Sequence, residues 1–373
     1  MTSSVVGAPL VDWTSAAQIA ARVAPPGPTA SRDELAVLVQ GLREAASAAV
    51  PHVLRVTRMA PSRSVSHAEA AGGATASLSQ VFVVDRSRWA RANTEVMASL
   101  TDGVAESLTG PGDKPVSATT ALVGAAQVGA VLAALSSRVL GQFDPYSAHG
   151  SSAPGRLLLV APNVLQLERD LDLVPADFRL WVCLHEQTHA LQFAAAPWLA
   201  EHLRASAREL LVGLSESSRQ LAEARLRDKL TTAGRVVLRA VRGQEGGVAH
   251  GLLTSDQQRS LAEVSAVMAL LEGHADVMMD AVGRATVPTV RRIRAQFEAR
   301  RDGQGSSTLD TVLRRFLGMD AKLAQYRDGA AFVRAVERQV GRDGLNAVWS
   351  TPEHLPSARE IADPGAWVRR VHG

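Results

Sequence analysis

The chain has 373 residues, 46% hydrophobic and 21% charged, and is long enough to bury a substantial core in one large domain or two. A formal net charge of +3 is too small to indicate a nucleic-acid partner. One cysteine excludes an intramolecular disulfide and fits a reducing compartment. The N-terminus also lacks the basic lead and apolar core of a signal peptide. We therefore expect a cytoplasmic globular protein that binds neither nucleic acid nor membrane.

The N-terminal part of the chain predicts helices and two short strands. Residues 1–30 form a Pro- and Ala-containing lead, with a short helix near 13–23. Ser31 and Glu34 have the spacing of a capping box, which predicts a helix that runs toward Val50 and ends before Pro51. The next elements are predicted as a buried strand at 81–85, a helix at 87–100 and a second strand at 156–160.

The most apolar stretch, residues 118–140, raises the question of a membrane span. Gln127 and the run Ser136, Ser137 and Arg138 interrupt it, and much of the rest is Ala and Gly. Such a composition is less apolar than a spanning helix requires. The stretch therefore predicts a buried Ala-rich helix.

The most informative motif of the chain is His-Glu-x-x-His at residues 185–189, in an apolar run that has neither Gly nor a further Pro after Pro175. On a helix, His185 and His189 lie one turn apart on the same face, so both imidazoles can reach one metal ion. Glu186 lies about 100° round the axis and can address a water bound to that metal. The alternative is an ordinary amphipathic helix, but a buried His-His-Glu cluster without a metal would leave costly unsatisfied groups.

A catalytic zinc site usually takes three protein ligands and a water, so a third ligand is needed. The longer pattern with Gly three and His six residues after the second His is absent, because Gln192 and Ala195 occupy those places. The third ligand must come from a distant segment, and 270–280 is the best candidate. Glu272 is the preferred ligand, and Asp276, four residues later on the same face, can accept the outward N–H of a ligating His. His274 is the alternative ligand, since it lies about 200° from Glu272 and one helix cannot easily aim both at one ion.

The segments 184–193, 195–199 and 270–280 resemble zincin-like metallopeptidases of actinobacteria and relatives, which are often labelled hydrolases or proteins associated with deazaflavin-coenzyme biosynthesis. The resemblance covers most of the chain from about Ser31. It implies a mainly α (α+β) zincin-like fold, with a small sheet beside the motif helix, and a Zn²⁺ cofactor. It implies no substrate. The roles that it implies are metal ligation by His185, His189 and Glu272, base catalysis by Glu186, and an outer-shell place for Asp276.

The C-terminal half predicts helices separated by Gly-rich loops. A long helical stretch runs to about 241, another begins near 254, and the tail from 308 to 340 is helical but broken at Gly318 and Gly329. The basic clusters at 291–294 and 369–370 are interpreted as solvated helix faces. The predicted division is a lead at 1–30, a catalytic domain at 31–300 and a helical cap at 301–373.

The motif predicts metal-assisted hydrolysis. Zinc lowers the pKa of its water, and Glu186 takes a proton from that water and passes it to the leaving group. The developing oxyanion needs a further donor, for which Tyr326 is preferred, then Arg327; Tyr146 is the other tyrosine. The main hypothesis is a zinc peptidase acting on a peptide or protein. A catalytically weak binding or regulatory protein and a small-molecule amidohydrolase are the alternatives, and an intact Glu186 favours an enzyme.

Overall fold

The structure is a computed structural model that describes residues 11–62, 78–102, 117–147, 155–227, 254–301 and 319–373. Side chains of residues 214–227, 298, 300, 301 and 319–327 are not described. The end of the long helical stretch predicted to reach about 241, the Gly-rich loop predicted before 254, and Gly318 lie outside the described residues.

The described residues form a mainly helical fold with one small sheet, which confirms the predicted fold class. In chain order the helices are α1 (Trp13–Val23), α2 (Arg32–Thr57), α3 (Arg86–Thr101), α4 (Ala118–Leu135), α5 (Ala161–Asp170), α6 (Pro175–Ala195), α7 (Leu199–Arg227), α8 (Ser255–Ala281), α9 (Val290–Arg301), α10 (Met319–Leu345), α11 (Ala358–Ala362) and α12 (Pro364–His372). The strands are β1 (Gln80–Val84), β2 (Gly141–Asp144) and β3 (Arg156–Val160).

Helix α2 begins at the predicted capping box, in which the Ser31 hydroxyl accepts from the Glu34 N–H and the Glu34 carboxylate accepts from the Ser31 N–H. Its predicted end before Pro51 was wrong, because the helix continues to Thr57. Proline removes one backbone donor, but Val53 and Val56 beyond it remain buried in the core. That burial favours continuation of the helix past the proline.

The sheet has the strand order β1–β3–β2. β1 and β3, the two predicted strands, pair in parallel, with Val81 opposite Leu157. β2 pairs antiparallel with β3, with Gly141 opposite Leu159, and forms an edge of the sheet. β2 was not predicted as a strand, since Gly-Gln-Phe-Asp carries no run of β-branched residues.

Helix α6, which carries the His-Glu-x-x-His motif, lies at the centre of the main core and packs against α2 and α8. Phe178, Leu184 and Leu191 on α6 are fully buried, as is Leu270 on α8. Because α6 and α8 are packed together, the side chains of the two predicted metal-binding segments meet.

Helix α4 confirms the predicted Ala-rich helix but is only partly buried. Ala125 and Leu132 are buried, whereas Leu122, Val123 and Val131 are about half exposed. Its buried face packs on α1. Within the described ranges, α4 has the length and apolar composition that would allow a helix to cross a membrane.

Helix α10 crosses α8 at very short range. A Cβ at Gly273 would lie 2.2 Å from the carbonyl carbon of Gly329, and a Cβ at Gly329 would lie 1.9 Å from the carbonyl oxygen of Ala269. The predicted break at Gly329 was wrong, because glycine here permits the close crossing and α10 stays helical past it, with a kink further on at Gly341, where φ is 71°. The C-terminal segment thus shares the core of α8, while the division into a catalytic domain and a cap remains a prediction.

Candidate metal centre

Three side chains from α6 and α8 converge. The Nε2 atoms of His185 and His189 are 3.1 Å apart. The Oε2 atom of Glu272 lies 3.2 Å from Nε2 of His185 and 3.6 Å from Nε2 of His189. The helical spacing aligns the two imidazoles, and the packing of α8 brings in the carboxylate.

These distances fit a shared metal ion. Tetrahedral zinc with bonds of roughly 2.0–2.1 Å holds its ligand atoms about 3.3 Å apart. Among the described residues, these three form the set of His, Cys, Asp or Glu whose ligand atoms all lie within 4.8 Å of one another. His274, the alternative ligand, is outside this set. It is fully buried, and its Nδ1 atom lies 3.0 Å from Nε2 of Gln192.

The hydrogen bonds of Gln192 determine the tautomer of His189. The Nε2 amide of Gln192 donates to the carbonyl of Leu271 at 2.9 Å, and a carbonyl can only accept. The Oε1 atom of Gln192 therefore faces Nδ1 of His189, at 2.9 Å, so Nδ1 carries the proton. Nε2 of His189 is left with a lone pair directed at the site, as a metal ligand requires.

The charges around His189 also favour a cation. Burial opposes a positive charge on its ring, but the carboxylates of Glu272 and Glu186 raise the pKa of His189 to about 9. Burial likewise raises the pKa of Glu272, but the imidazoles of His189 and His185 outweigh it and hold that pKa well below its usual range. A buried carboxylate stabilised by positive charge is the electrostatic setting of a metal site.

Glu186 is held against strand β2. Its side chain is buried, and burial raises the pKa of its carboxyl group. The backbone N–H of Phe143 donates to this carboxylate. A Cβ at Gly141 would lie 2.6 Å from Cγ and 2.9 Å from Oε1 of Glu186, so a side chain at position 141 would displace the carboxylate.

The outer edge of β2 faces this site. The N–H of Val160 donates to the carbonyl of Leu140 at 2.9 Å, which makes these two residues a hydrogen-bonded pair. Because such pairs alternate along an antiparallel ladder, the backbone groups of Gly141 and Phe143 point away from β3. Reciprocal amide hydrogen bonds of 3.1 and 2.9 Å between Gln142 and Asn93 hold β2 against α3.

A cleft of about 1120 Å³ runs past the three converging side chains. It is mainly apolar toward the C-terminal end of α6 and carries four charged side chains toward the N-terminal end. The apolar part is lined by Phe143, Tyr146, Phe193, Leu203, Met268 and Leu271. The charged part is lined by Asp276, Asp280, Arg294 and Arg334, together with Trp181 and Phe297.

Asp276 has a different partner from the one predicted. It accepts from Nη1 of Arg294 at 2.6 Å, whereas Gln192 is the acceptor for Nδ1 of His189. Gln192 lies on the same face as the two histidines, and its position three residues after His189 was the available signal for its role. Asp276 remains a residue of the cleft wall.

The interpretation of residues 291–294 as a solvated helix face is wrong for Arg294. Arg291 and Arg292 are exposed, but Arg294 is partly buried, and its guanidinium lies over the ring of Trp181 at 5.4 Å. Its N–H groups donate to Asp276 and Asp280. The pattern of charges along α9 gave no signal that α8 would cover this one arginine.

Tyr146 and Tyr326 are the two tyrosines of the chain. The side chain of Tyr326, the predicted oxyanion donor, lies outside the described side chains. Tyr146 lines the cleft, and burial raises its pKa to about 12, so its phenol keeps its proton at neutral pH. Arg204 lies over its ring at 5.2 Å.

A family model for zincin-like metallopeptidases matches residues 11–368. The chain belongs to this family. It is also similar to a crystal structure from Chloroflexus aurantiacus described as "a putative hydrolase with a novel fold", at 30% identity and a TM-score of 0.63, over 96% of this chain and 98% of that one. No curated protein matches the chain. The predicted family is thus confirmed.

The role of Gln192 in orienting His189 can be tested by substitution. We expect Gln192→Met to weaken zinc binding by about 10- to 100-fold, because His189 loses the acceptor that fixes its tautomer. The measurement is competition with a chromophoric zinc chelator. Gln187→Met is the matched control, since Gln187 is equally buried on α6 but donates to the Ala46 carbonyl, away from the site. An unchanged zinc affinity in Gln192→Met would refute this role.

Proposed function

We propose that the protein is a zinc-dependent peptidase in which His185, His189 and Glu272 hold Zn²⁺ and Glu186 is the general base. The family and the similar structure support a hydrolase. The proposal of a zinc peptidase rests on the convergence of two Nε2 atoms and a carboxylate oxygen at 3.1–3.6 Å. The buried carboxylate of Glu186 directly follows His185 on α6. A zinc ion in such a site lowers the pKa of water and polarises a carbonyl group.

Glu186 performs the proton transfers in this proposal. Phe143 fixes its carboxylate by a backbone hydrogen bond, and Gly141 leaves the space that it occupies. The carboxylate takes a proton from the attacking water and delivers it to the departing amine. Its raised pKa makes it a stronger base than a solvated carboxylate.

Strand β2 supports a peptide as the substrate. The backbone groups of Gly141 and the carbonyl of Phe143 point outward beside the general base, whereas the N–H of Phe143 is hydrogen-bonded to Glu186, and an extended chain can pair with the groups that remain open. Side chains of the substrate would then alternate between the cleft and solvent. A peptide or protein segment in extended conformation is therefore the proposed partner.

Two phenols are candidates for the hydrogen-bond donor to the oxyanion. Tyr326 remains the predicted residue. Tyr146 lines the described cleft, and its raised pKa keeps its phenol protonated at neutral pH. Either hydroxyl would donate a hydrogen bond as negative charge develops on the carbonyl oxygen. A cytoplasmic location remains a prediction from the sequence, based on the single cysteine and on the absence of a signal-peptide pattern and of a convincing membrane span.

The test is incubation of the zinc-loaded protein with a mixed peptide library, followed by mass spectrometry of the products. We expect new peptide termini that disappear after 1,10-phenanthroline treatment and return when zinc is added back. Full zinc occupancy without any cleaved peptide would contradict the proposal. It would favour a binding protein, or an amidohydrolase if small amides are turned over instead.

A further inference from the structure

Arg294 and Arg334, at the charged end of the cleft, differ in how closely they contact Asp276 and Asp280. Arg294 makes close contacts to both aspartates, with Nη1 2.6 Å from Oδ1 of Asp276 and Nη2 2.8 Å from Oδ1 of Asp280. Trp181 covers its guanidinium. Arg294 and the two aspartates thus form a fixed structural group.

Arg334 has no such fixed partners. Its side chain, on α10, is 48% exposed, and its Nη2 atom lies 3.8 Å from Oδ2 of both Asp276 and Asp280. These separations are ionic contacts but exceed hydrogen-bond length. Within the described part of the chain, no hydrogen bond from this guanidinium is formed, so its N–H donors remain available on the wall of the cleft.

The arrangement selects for an anion over a cation. The Oδ1 atoms of Asp276 and Asp280 are bonded to Arg294, and their Oδ2 atoms face Arg334. A basic ligand would have to displace Arg334 to reach these oxygens. An acidic ligand would meet a guanidinium whose planar N–H groups can bind a carboxylate through two parallel hydrogen bonds.

The distance from the metal centre limits which substrate group can reach Arg334. Arg334 lies 3.8 Å from both Asp276 and Asp280, which follow Glu272 by about one and two helical turns, roughly 6 and 12 Å along α8. An extended peptide advances about 3.3 Å per residue. A carboxylate at this end of the cleft would therefore belong to a residue about two to four positions from the bond at the metal.

We propose that Arg334 is a specificity residue that binds a carboxylate of the substrate a few residues from the scissile bond. The inference rests on the proposed peptidase function and adds a substrate class, namely peptides with a negative charge on this side. The carboxylate can be the C-terminus of the peptide or an acidic side chain. The first source would make the protein a C-terminal exopeptidase, and the second an endopeptidase that prefers acidic residues.

The test uses binding, so that it does not depend on turnover. The zinc-loaded Glu186→Gln variant is titrated calorimetrically with three peptides of one sequence: a free C-terminus, an amidated C-terminus, and an amidated peptide with Asp near the centre. We expect one of the two carboxylate peptides to bind at least about tenfold more tightly than the neutral amide, as expected for a charge-assisted pair. The tighter of the two identifies the source.

Arg334→Met, introduced in the same background, is expected to abolish this preference while zinc content stays unchanged. Arg338→Met is the matched control and should retain it, because Arg338 is exposed on the same helix and does not line the cleft. Equal affinities for all three peptides, no binding of any peptide, or a preference that survives Arg334→Met would overturn the inference. Carboxylate-selective binding without hydrolysis by the wild type would contradict only the peptidase proposal.

Discussion

Glu272→Ala is expected to lose zinc. The substitution removes the anionic ligand and leaves two neutral imidazoles, so we expect the affinity for zinc to fall by more than the roughly 100-fold that losing an outer-shell partner costs. The measurement is zinc per chain by mass spectrometry of the metal, after dialysis against a competing chelator.

Glu263→Ala is the control for this experiment. Glu263 lies on the same helix but is exposed and remote from the histidines. It should retain a full equivalent of zinc, and both variants should show the helical circular dichroism of the wild type. Full zinc occupancy in folded Glu272→Ala protein would remove Glu272 from the ligand set and would reopen the role of His274.

Glu186→Gln is expected to retain zinc and lose hydrolysis. The amide has the shape of the carboxylate and can still accept from the N–H of Phe143, but it cannot take a proton from water. General-base catalysis contributes about 10²- to 10⁴-fold, so kcat should fall by that factor on a peptide from the library screen. Steady-state kinetics at equal zinc content measure the effect.

Three outcomes would lead to different conclusions about the role of Glu186. A variant that binds the peptide with unchanged affinity and turns it over hundreds of times more slowly supports a role in the chemical step. A variant with near wild-type kcat and a full equivalent of zinc would show that another group is the base. Loss of zinc from Glu186→Gln would instead place this residue among the groups that hold the ion.

The sequence predicted those parts of the site that depend on local geometry. His185 and His189 meet because four residues make about one helical turn, whatever surrounds the helix. Glu272 lies 83 residues after His189 in the chain. It was predicted because a catalytic zinc site needs a third protein ligand besides the two histidines. The structure brings it to 3.6 Å from the imidazole of His189.

The sequence could not predict contacts that depend on tertiary packing. Gly141 is needed because Glu186 approaches it from another element, and Gly273 because α10 crosses α8 there. Asp276 was assigned to a histidine because its spacing permits that contact, but Arg294 from α9 competes for the same carboxylate. The short strand β2 exists through its pairing with β3, which local propensity does not encode.

The central claim is that two imidazoles from α6 and one carboxylate from α8 coordinate a single zinc ion. Zinc K-edge X-ray absorption of the wild-type protein tests it most directly. We expect two imidazole nitrogens around the zinc, with all remaining ligands oxygen, at distances of about 2.0–2.1 Å. A sulfur ligand near 2.3 Å, three or more imidazoles, or a shell of oxygens without imidazole would contradict it.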